Sequence, residues 1–254
     1  MGHIKTKKSL GQHFLSSPSY LKAIADAGKV EEGDLVLEVG PGEGTLTKEL
    51  LSRRARVIAV EKDDRLIPFL EVKFSAEIKS RQLKLVHGDI LKENLKALGL
   101  AAGKYKVVAN IPYYISGSLM RFLFTHKEQP KLMSLLVQKE VAERIARSKK
   151  ESLLSLSVKV YGEASFVKKV PRGAFSPPPK VDSAILLVDD ISRKNFKNEK
   201  HEARFFELIH AGFAHKRKTL GKALRPLLGD RAEEVATSRA EDIGLTTWLT
   251  LSAN

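Results

Sequence analysis

The stretch Leu35–Gly44 constrains the fold of this chain more than any other segment. It begins as an apolar run long enough for one buried strand and continues as Glu-Val-Gly-Pro-Gly-Glu-Gly. Three glycines in five positions allow a tight turn and let a ligand approach the backbone closely. The residues from Thr45 to Arg54 then have the apolar spacing of a helix. This order predicts a parallel sheet with a nucleotide-like ligand above the strand end.

The chain up to about residue 190 alternates between helical and strand-like stretches. Ser17-Pro18 predicts the start of a helix that runs to about Lys29, because serine caps helices and proline suits the first turn. Phe175–Lys180 is rich in proline and predicts a stiff connection. The further predicted strands are Arg56–Glu61, Leu83–Val86, Lys106–Asn110 and Leu132–Val137, with a closing hairpin of Ala164–Val170 and Ser183–Val188. We therefore expect an α/β, Rossmann-like sheet wrapped by helices.

The character of the sequence changes after Asp189-Asp190. A charged tail follows, with apolar residues at helical spacing: Phe205, Phe206, Leu208, Ile209, Phe213, Leu220, Leu224, Leu227 and Leu228. We place a domain boundary near Ile191, so that residues 1–190 form the sheet domain and residues 191–254 form a small all-helical domain. The alternative, in which these helices are extra elements packed on the sheet, is equally supported.

Charge and residue usage restrict the function. Lys and Arg number 44 against 30 acidic residues, for a net charge of +14, so the surface attracts polyanions and predicts contact with nucleic acid. The chain has no cysteine, which excludes thiolate metal sites and cysteine nucleophiles. It has neither a signal-peptide core nor an apolar run of about 18 residues. We expect a soluble, cytoplasmic protein without membrane contact.

The glycine spacing predicts which cofactor binds. A dinucleotide fingerprint requires G-x-G-x-x-G, whereas here the third glycine comes one position early and Glu38 precedes the glycines. This pattern is typical of methyltransferases that bind S-adenosylmethionine above Gly40 and Gly42. Glu61 ends the second strand, where a carboxylate reaches ribose hydroxyls. Asp89 follows the third strand, where it either accepts from the cofactor's adenine amine or caps a helix.

The segment Asn110-Ile111-Pro112-Tyr113 follows the fourth strand and indicates the reaction. An aromatic amine is a poor nucleophile because its lone pair is delocalised into the ring. Two acceptors on its hydrogens, the Asn110 side-chain oxygen and the Ile111 carbonyl, would pull it toward tetrahedral geometry. Pro112 holds the turn, and Tyr113 offers a face on which a base can stack. His210 and His215 do not share a helix face, so we expect no metal site.

Five segments together resemble the ribosomal RNA adenine N6,N6-dimethyltransferases, and in particular the bacterial small-subunit branch associated with kasugamycin sensitivity. The resemblance covers nearly the whole chain in order. The segments are Lys8–Leu15, Glu38–Gly44, Asn110–Tyr113, Phe175–Ser183 and Lys216–Leu220.

The resemblance implies transfer of methyl groups from S-adenosylmethionine to two adjacent adenosines in the 3'-terminal hairpin loop of small-subunit RNA, on an immature 30S particle. It implies that Phe175 closes over the target base opposite Tyr113, and that the tail around residues 216–218 contacts RNA. A monomer is expected. The implied cofactor contacts are His13, Leu15, Gly40, Glu61, Asp89 and Asn110, and the implied RNA contacts are Lys216, Arg217 and Lys218. His13 departs from the asparagine that is frequent in the family, which favours a backbone contact there.

Three alternatives stay open. The first is a macrolide-resistance type of large-subunit RNA methyltransferase with the same core, which the proline loop and the Lys-Arg-Lys-Thr-Leu tail disfavour. The second is a non-catalytic ribosome-assembly factor, which the charge supports. The third is an NAD-dependent oxidoreductase, which the glycine spacing and the missing Tyr-Lys or His-Asp arrangement disfavour.

Overall fold

The computed structural model describes residues 13–214 and 218–253 of the chain. Its strands are β1 (Phe14–Leu15), β2 (Leu35–Val39), β3 (Arg56–Glu61), β4 (Leu83–His87), β5 (Lys106–Asn110), β6 (Leu132–Gln138), β7 (Glu163–Val170), β8 (Phe175–Ser176) and β9 (Ser183–Asp189). A seven-stranded sheet has the order β4-β3-β2-β5-β6-β9-β7. The strands β2 to β6 run parallel, and β9 pairs antiparallel with both β6 and β7. The predicted α/β sheet and its closing hairpin are confirmed.

Helices cover both faces of this sheet. The α-helices of the described residues are α1 (Pro18–Ala27), α2 (Thr45–Ser52), α3 (Leu66–Lys73), α4 (Ser75–Lys79), α5 (Leu95–Leu98), α6 (Ser116–Thr125), α7 (Lys139–Ala146), α8 (Leu153–Lys159), α9 (Glu199–Phe213), α10 (Leu220–Leu228) and α11 (Leu245–Ser252). In the described ranges, no helix combines the length and apolar character that a membrane span requires.

The central strands are apolar on both sides because both sides are buried. Val36 packs toward one cluster of buried side chains and Leu37 toward the other, as alternate residues of a strand must. The strand β2 lies between β3 and β5; the chain runs from β2 to β3 and β4 on one side and then crosses to β5 and β6 on the other. Such a switch point opens a crevice at the carboxyl ends of the strands, where ligands of open α/β sheets bind.

The C-terminal helices share a core with one face of the sheet. Tyr161 stacks on Phe124 with 5.2 Å between ring centroids and on Phe206 of α9 at 6.0 Å. Its hydroxyl donates to the Glu202 carboxylate. Trp248 of α11 is fully buried in the same apolar cluster. Helix α9 therefore packs on the sheet domain and α11 packs on α9, and the division at residues 190 and 191 stays a prediction.

A two-stranded sheet that the sequence did not predict lies beside the crevice. Strand β1 pairs antiparallel with β8, so that Phe14 lies opposite Ser176 and Leu15 opposite Phe175. Each strand has two residues, which is too short for an alternating pattern to be recognised. The pairing holds the proline-rich loop against the segment that precedes α1.

Candidate active site

A cavity of about 340 Å³ lies at the carboxyl ends of the parallel strands. This volume is within the usual range for small-molecule sites. All of the predicted catalytic and cofactor-binding residues line it: His13, Leu15, Gly40, Gly42, Glu61, Asp89, Asn110, Ile111, Pro112, Tyr113 and Phe175. They come from segments that are far apart in sequence, and the fold brings them to one place.

The predicted RNA contacts lie elsewhere in the chain. Lys216 and Arg217 lie outside the described residues. Lys218 lines a second cavity together with Arg144 and Lys150, between the α7–α8 connection and the C-terminal helices. The described residues contain no group of three or more His, Asp and Glu side chains placed to bind a metal.

The glycine loop turns through left-handed backbone conformations. The φ angles of Gly40, Gly42 and Gly44 are +68°, +58° and +74°, a region that favours glycine. A side chain at Gly44 would meet the Phe74 ring at 2.4 Å, whereas one at Gly40 would meet only Pro112, at 3.9 Å. Gly44 is therefore needed for packing of the loop, and Gly40 leaves room for a ligand close to the backbone.

Replacing Gly42 with alanine is expected to weaken both the fold and cofactor binding. Its Cβ would lie 2.7 Å from the Phe14 ring, and alanine in this backbone conformation costs about 1–2 kcal/mol. We expect a loss of about that size in the free energy of unfolding and at least about tenfold in affinity for S-adenosylhomocysteine. Denaturant unfolding and calorimetric titration measure the two effects.

Gly103→Ala is the matched control for this loop. Gly103 has a φ of +68° and no atom within 4 Å of an added Cβ, and it does not line the cavity. We expect a comparable strain but unchanged cofactor affinity. Equal affinity losses in the two variants would contradict a specific role for Gly42.

Glu61 connects the end of β3 to the glycine loop. Its Oε2 accepts from the Gly42 amide at 3.1 Å, and its Oε1 accepts from the Asp63 amide at 2.8 Å. Burial raises the pKa of this carboxyl, and the backbone donors oppose that rise. Because each carboxylate oxygen accepts more than one hydrogen bond, Glu61 retains acceptor capacity toward the cavity. The predicted ribose contact fits this geometry.

Asp89 caps a short helical turn, which is one of the two roles that the sequence left open, and it lines the cavity. Its Oδ1 accepts from the Leu91 amide at 3.2 Å and so caps the short 3₁₀ turn Ile90–Lys92. Its Oδ2 pairs with Lys62 at 2.8 Å, and this lysine lowers the pKa of Asp89. The capping role is observed, and because Asp89 also lines the cavity, the contact with a cofactor adenine stays a prediction.

The orientation of Asn110 is set by a distant residue. Its Nδ2 donates to the His13 carbonyl at 3.2 Å. Since only the nitrogen of an amide donates, Oδ1 points away from His13. Pro112 has a φ of −57° and holds the turn that follows Ile111. Two oxygens, Asn110 Oδ1 and the Ile111 carbonyl, thus lie on consecutive residues of a rigid turn at the cavity.

Tyr113 is held from two sides. Its hydroxyl and the buried Ser183 hydroxyl are 2.6 Å apart. The His13 imidazole stacks on its ring with 6.1 Å between centroids, and His13 Nδ1 donates to the Pro177 carbonyl at 2.9 Å. Burial raises the pKa of Tyr113, which keeps the phenol protonated. The His13 side chain therefore contacts Tyr113 and the proline loop, while its predicted cofactor contact stays a prediction.

Phe175 and Leu15 form the side of the cavity made by the small sheet. Both side chains are almost fully buried, and they lie opposite each other in the β1–β8 pairing. The Leu15 carbonyl accepts from the Thr45 hydroxyl at 3.0 Å, which ties β1 to the start of α2. The aromatic ring of Phe175 is thus placed at the cavity by two elements that only tertiary structure pairs.

Several groups at the site were not predicted from the sequence. Ser183 and Tyr113 are 70 positions apart, and no local pattern predicts such a pair. Lys62 also lines the cavity. Its position directly after Glu61 in the sequence could have predicted this. Glu38 belongs to the glycine pattern, but the sequence predicted no separate role for it. Its position inside an apolar strand did predict that it would be buried.

The residues present fit S-adenosylmethionine. Glycines open the backbone at the end of β2, and carboxylates end the adjacent strands β3 and β4, where ribose hydroxyls and an adenine amine need acceptors. Glu38 Oε2 is buried without a hydrogen-bond partner, which a cationic cofactor complements.

Comparison with known proteins gives the family. The sequence profile of the family described as ribosomal RNA adenine dimethylase matches residues 3–250. A Dehalococcoides mccartyi protein named ribosomal RNA small subunit methyltransferase A is 42% identical over 96% of this chain and 87% of that protein. A Clostridium botulinum protein of the same name is 37% identical over 89% of this chain and 82% of that protein.

Solved structures share the fold. A dimethyladenosine transferase from Plasmodium falciparum superimposes with a TM-score of 0.80 at 27% identity, covering 94% of this chain and 96% of that one. The 23S rRNA methyltransferase ErmE superimposes with a TM-score of 0.75 at 24% identity, covering 94% and 98%, which supports the fold alone. By the profile match and the identity to these relatives, the chain belongs to the ribosomal RNA adenine dimethylase family.

Proposed function

We propose that this protein transfers methyl groups from S-adenosylmethionine to the N6 amines of two adjacent adenosines in the 3'-terminal hairpin loop of small-subunit ribosomal RNA. The observation that carries the proposal is the orientation of Asn110. Its Nδ2 donates to the His13 carbonyl, so that Oδ1 points away from His13 and, together with the Ile111 carbonyl, would form a pair of acceptors suited to an aromatic amine.

The cofactor would be held by the ends of three strands. S-adenosylmethionine supplies an electrophilic methyl group when bound. Glu61 would accept from the ribose hydroxyls and Asp89 from the adenine amine, while Gly40 and Gly42 let the cofactor approach the backbone. The other proposed contacts are His13, Leu15 and Asn110.

The acceptor pair would then activate the target nitrogen. Hydrogen bonds from the amine to Asn110 Oδ1 and the Ile111 carbonyl localise its lone pair, which makes it more nucleophilic toward the methyl carbon. The amine becomes far more acidic once it is methylated, so the proton leaves after transfer and no strong general base is required. Pro112 keeps the two acceptors fixed, and Tyr113 and Phe175 would hold the base between them.

The RNA would extend from this cavity over a basic surface. We propose that residues 191–254, including Lys216, Arg217 and Lys218, contact the RNA backbone, which the net charge of +14 supports. The partner would be an immature 30S subunit in the cytoplasm, and the protein would act as a monomer.

The small-subunit branch is favoured over the large-subunit branch by the comparisons. Relatives named ribosomal RNA small subunit methyltransferase A reach 46% identity over 89% of this chain. The proline loop Phe175–Ser183, which pairs with β1 at the cavity, supports the same branch.

Transfer of labelled methyl groups tests the proposal. The substrates are undermethylated 30S subunits, 50S precursors and DNA, and the modified nucleoside is identified by mass spectrometry. We expect N6,N6-dimethyladenosine in the 30S sample only. Label in 50S precursors would move the protein to the large-subunit branch, and no label with retained 30S binding would favour an assembly factor. Preferential binding of NAD over S-adenosylhomocysteine would overturn the cofactor assignment.

A further inference from the structure

Glu38 is a buried carboxyl with an unsatisfied oxygen beside the cofactor cavity. It is 1% exposed, lies in β2 two residues before Gly40, and lines the cavity. Its Oε2 makes no hydrogen bond. An ionised carboxylate in such surroundings costs several kcal/mol unless a cation or hydrogen bonds compensate it. Glu38 can therefore be ionised in the folded protein only if a nearby cation or hydrogen bonds compensate its charge.

The neighbouring strands and helices supply little of this compensation for a charge on Glu38. On β3, Glu61 acts on Glu38 with the same sign of charge. On α2, contacts with the Thr47 side chain and backbone lower the pKa of Glu38, but burial raises it by more. The Thr47 hydroxyl and Glu38 Oε2 are both buried without a hydrogen bond. The other charged groups on the packed elements are engaged or exposed: Lys106 of β5 bonds Asp34, Glu49 of α2 bonds Arg53, and Lys48 faces solvent. No ion pair of the described ranges involves Glu38.

Burial and Glu61 together raise the pKa of Glu38 to about 8. Burial is the larger cause, and the contacts with Thr47 oppose it only in part. The carboxyl is therefore mostly protonated at neutral pH when no ligand is bound. A positive charge brought into the cavity would shift this equilibrium toward the carboxylate, because opposite charges favour the ionised form.

We propose that Glu38 carries a proton in the ligand-free protein and releases it when the cofactor brings its positive charge into the cavity, so that the carboxylate stabilises the bound cation. The inference rests on the proposed use of S-adenosylmethionine. Glu38 thus acts as an electrostatic partner of the cofactor, in addition to Glu61 and Asp89, which would accept hydrogen bonds from it.

The proton release makes cofactor affinity depend on pH. Binding is coupled to loss of a proton, so the affinity rises with pH by at most about tenfold per unit. The rise ends above the ligand-free pKa of Glu38, at about pH 8. S-adenosylmethionine carries a positive charge on sulfur, and its product S-adenosylhomocysteine does not. Comparing the proton release that the two ligands cause therefore shows whether Glu38 interacts with that charge.

Calorimetric titration in buffers of different ionisation enthalpy counts the released protons. For S-adenosylmethionine at pH 7 we expect close to one proton from the wild-type protein and none from Glu38→Gln, whose affinity should not rise between pH 6 and 7. A smaller proton release with S-adenosylhomocysteine would show that Glu38 meets the positive charge on sulfur. An equal release would show that Glu38 meets the ammonium group, which both ligands carry. Both results support the proposal. Glu32→Gln, in an exposed carboxylate paired with Arg54, is the control and should release protons as the wild type does.

An infrared difference spectrum tests the proposal without a variant, in case Glu38→Gln does not fold. Addition of S-adenosylmethionine to the wild-type protein at pH 7 should remove the band of a protonated carboxyl. An unchanged band, or proton release that persists in Glu38→Gln, would overturn the assignment to Glu38. Failure to bind S-adenosylmethionine at any pH would instead count against the proposed function.

Discussion

Asn110→Ala is expected to lower the rate of methyl transfer by about 10²–10³-fold at saturating cofactor, the usual effect of removing one group that stabilises the transition state. The variant loses the Oδ1 acceptor and the Nδ2 hydrogen bond to the His13 carbonyl, so the target amine keeps only one of its two acceptors. Single-turnover transfer to undermethylated 30S subunits measures the rate, and filter binding measures RNA affinity, which we expect to change little.

Asn94→Ala is the matched control for this experiment. Asn94 accepts from the Ala97 amide at 3.1 Å as the N-cap of α5, and it does not line the cavity. Its removal should cost about 1 kcal/mol of stability while leaving turnover unchanged. A transfer rate for Asn110→Ala within a few-fold of the wild type would rule out the acceptor role.

Glu61→Ala is expected to lower the affinity for S-adenosylhomocysteine by about 100-fold, which corresponds to about 2.7 kcal/mol. Hydrogen bonds to a charged group contribute about 1.5–3 kcal/mol each, and the substitution removes the proposed ribose acceptor. It also leaves the Gly42 and Asp63 amides without the carboxylate that accepts from both. Calorimetric titration measures the affinity, and denaturant unfolding measures the accompanying loss of stability.

Glu61→Gln separates the two contributions. Glutamine has one acceptor oxygen where the carboxylate has two, so its NH₂ group would face either the Gly42 or the Asp63 amide. We therefore expect an intermediate loss of affinity. If Glu61→Gln bound S-adenosylhomocysteine as the wild type does, the paired acceptance from Gly42 and Asp63 would have no functional importance.

The central strands of the main sheet were predictable because each is buried on both faces. Arg56–Glu61 and Lys106–Asn110 have the predicted bounds, and β4 and β6 differ from prediction by one residue at one end. A strand that is covered on both sides must be a continuous apolar run, and such runs are visible in the sequence. The groups that follow these strands, Glu61, Asp89 and Asn110, were therefore placed correctly at one edge of the sheet.

The contacts that orient those groups were not predictable. Asn110 and His13 are 97 positions apart, and Tyr113 and Ser183 are 70 apart. Polar contacts between distant segments leave no periodic signal, because each depends on the placement of one atom and not on a repeated face.

The sequence by itself determined the α/β sheet, the glycine turn at its switch point and the chemical types of the groups at the strand ends, because burial and backbone conformation restrict which residues a position accepts. Only the tertiary structure decided how those groups are oriented and charged. Packing pairs β1 with β8, turns the Asn110 amide toward the His13 carbonyl, and buries Glu38 beside Glu61 in a low dielectric that favours its protonated form. These properties depend on distances between segments that the chain brings together only when it folds.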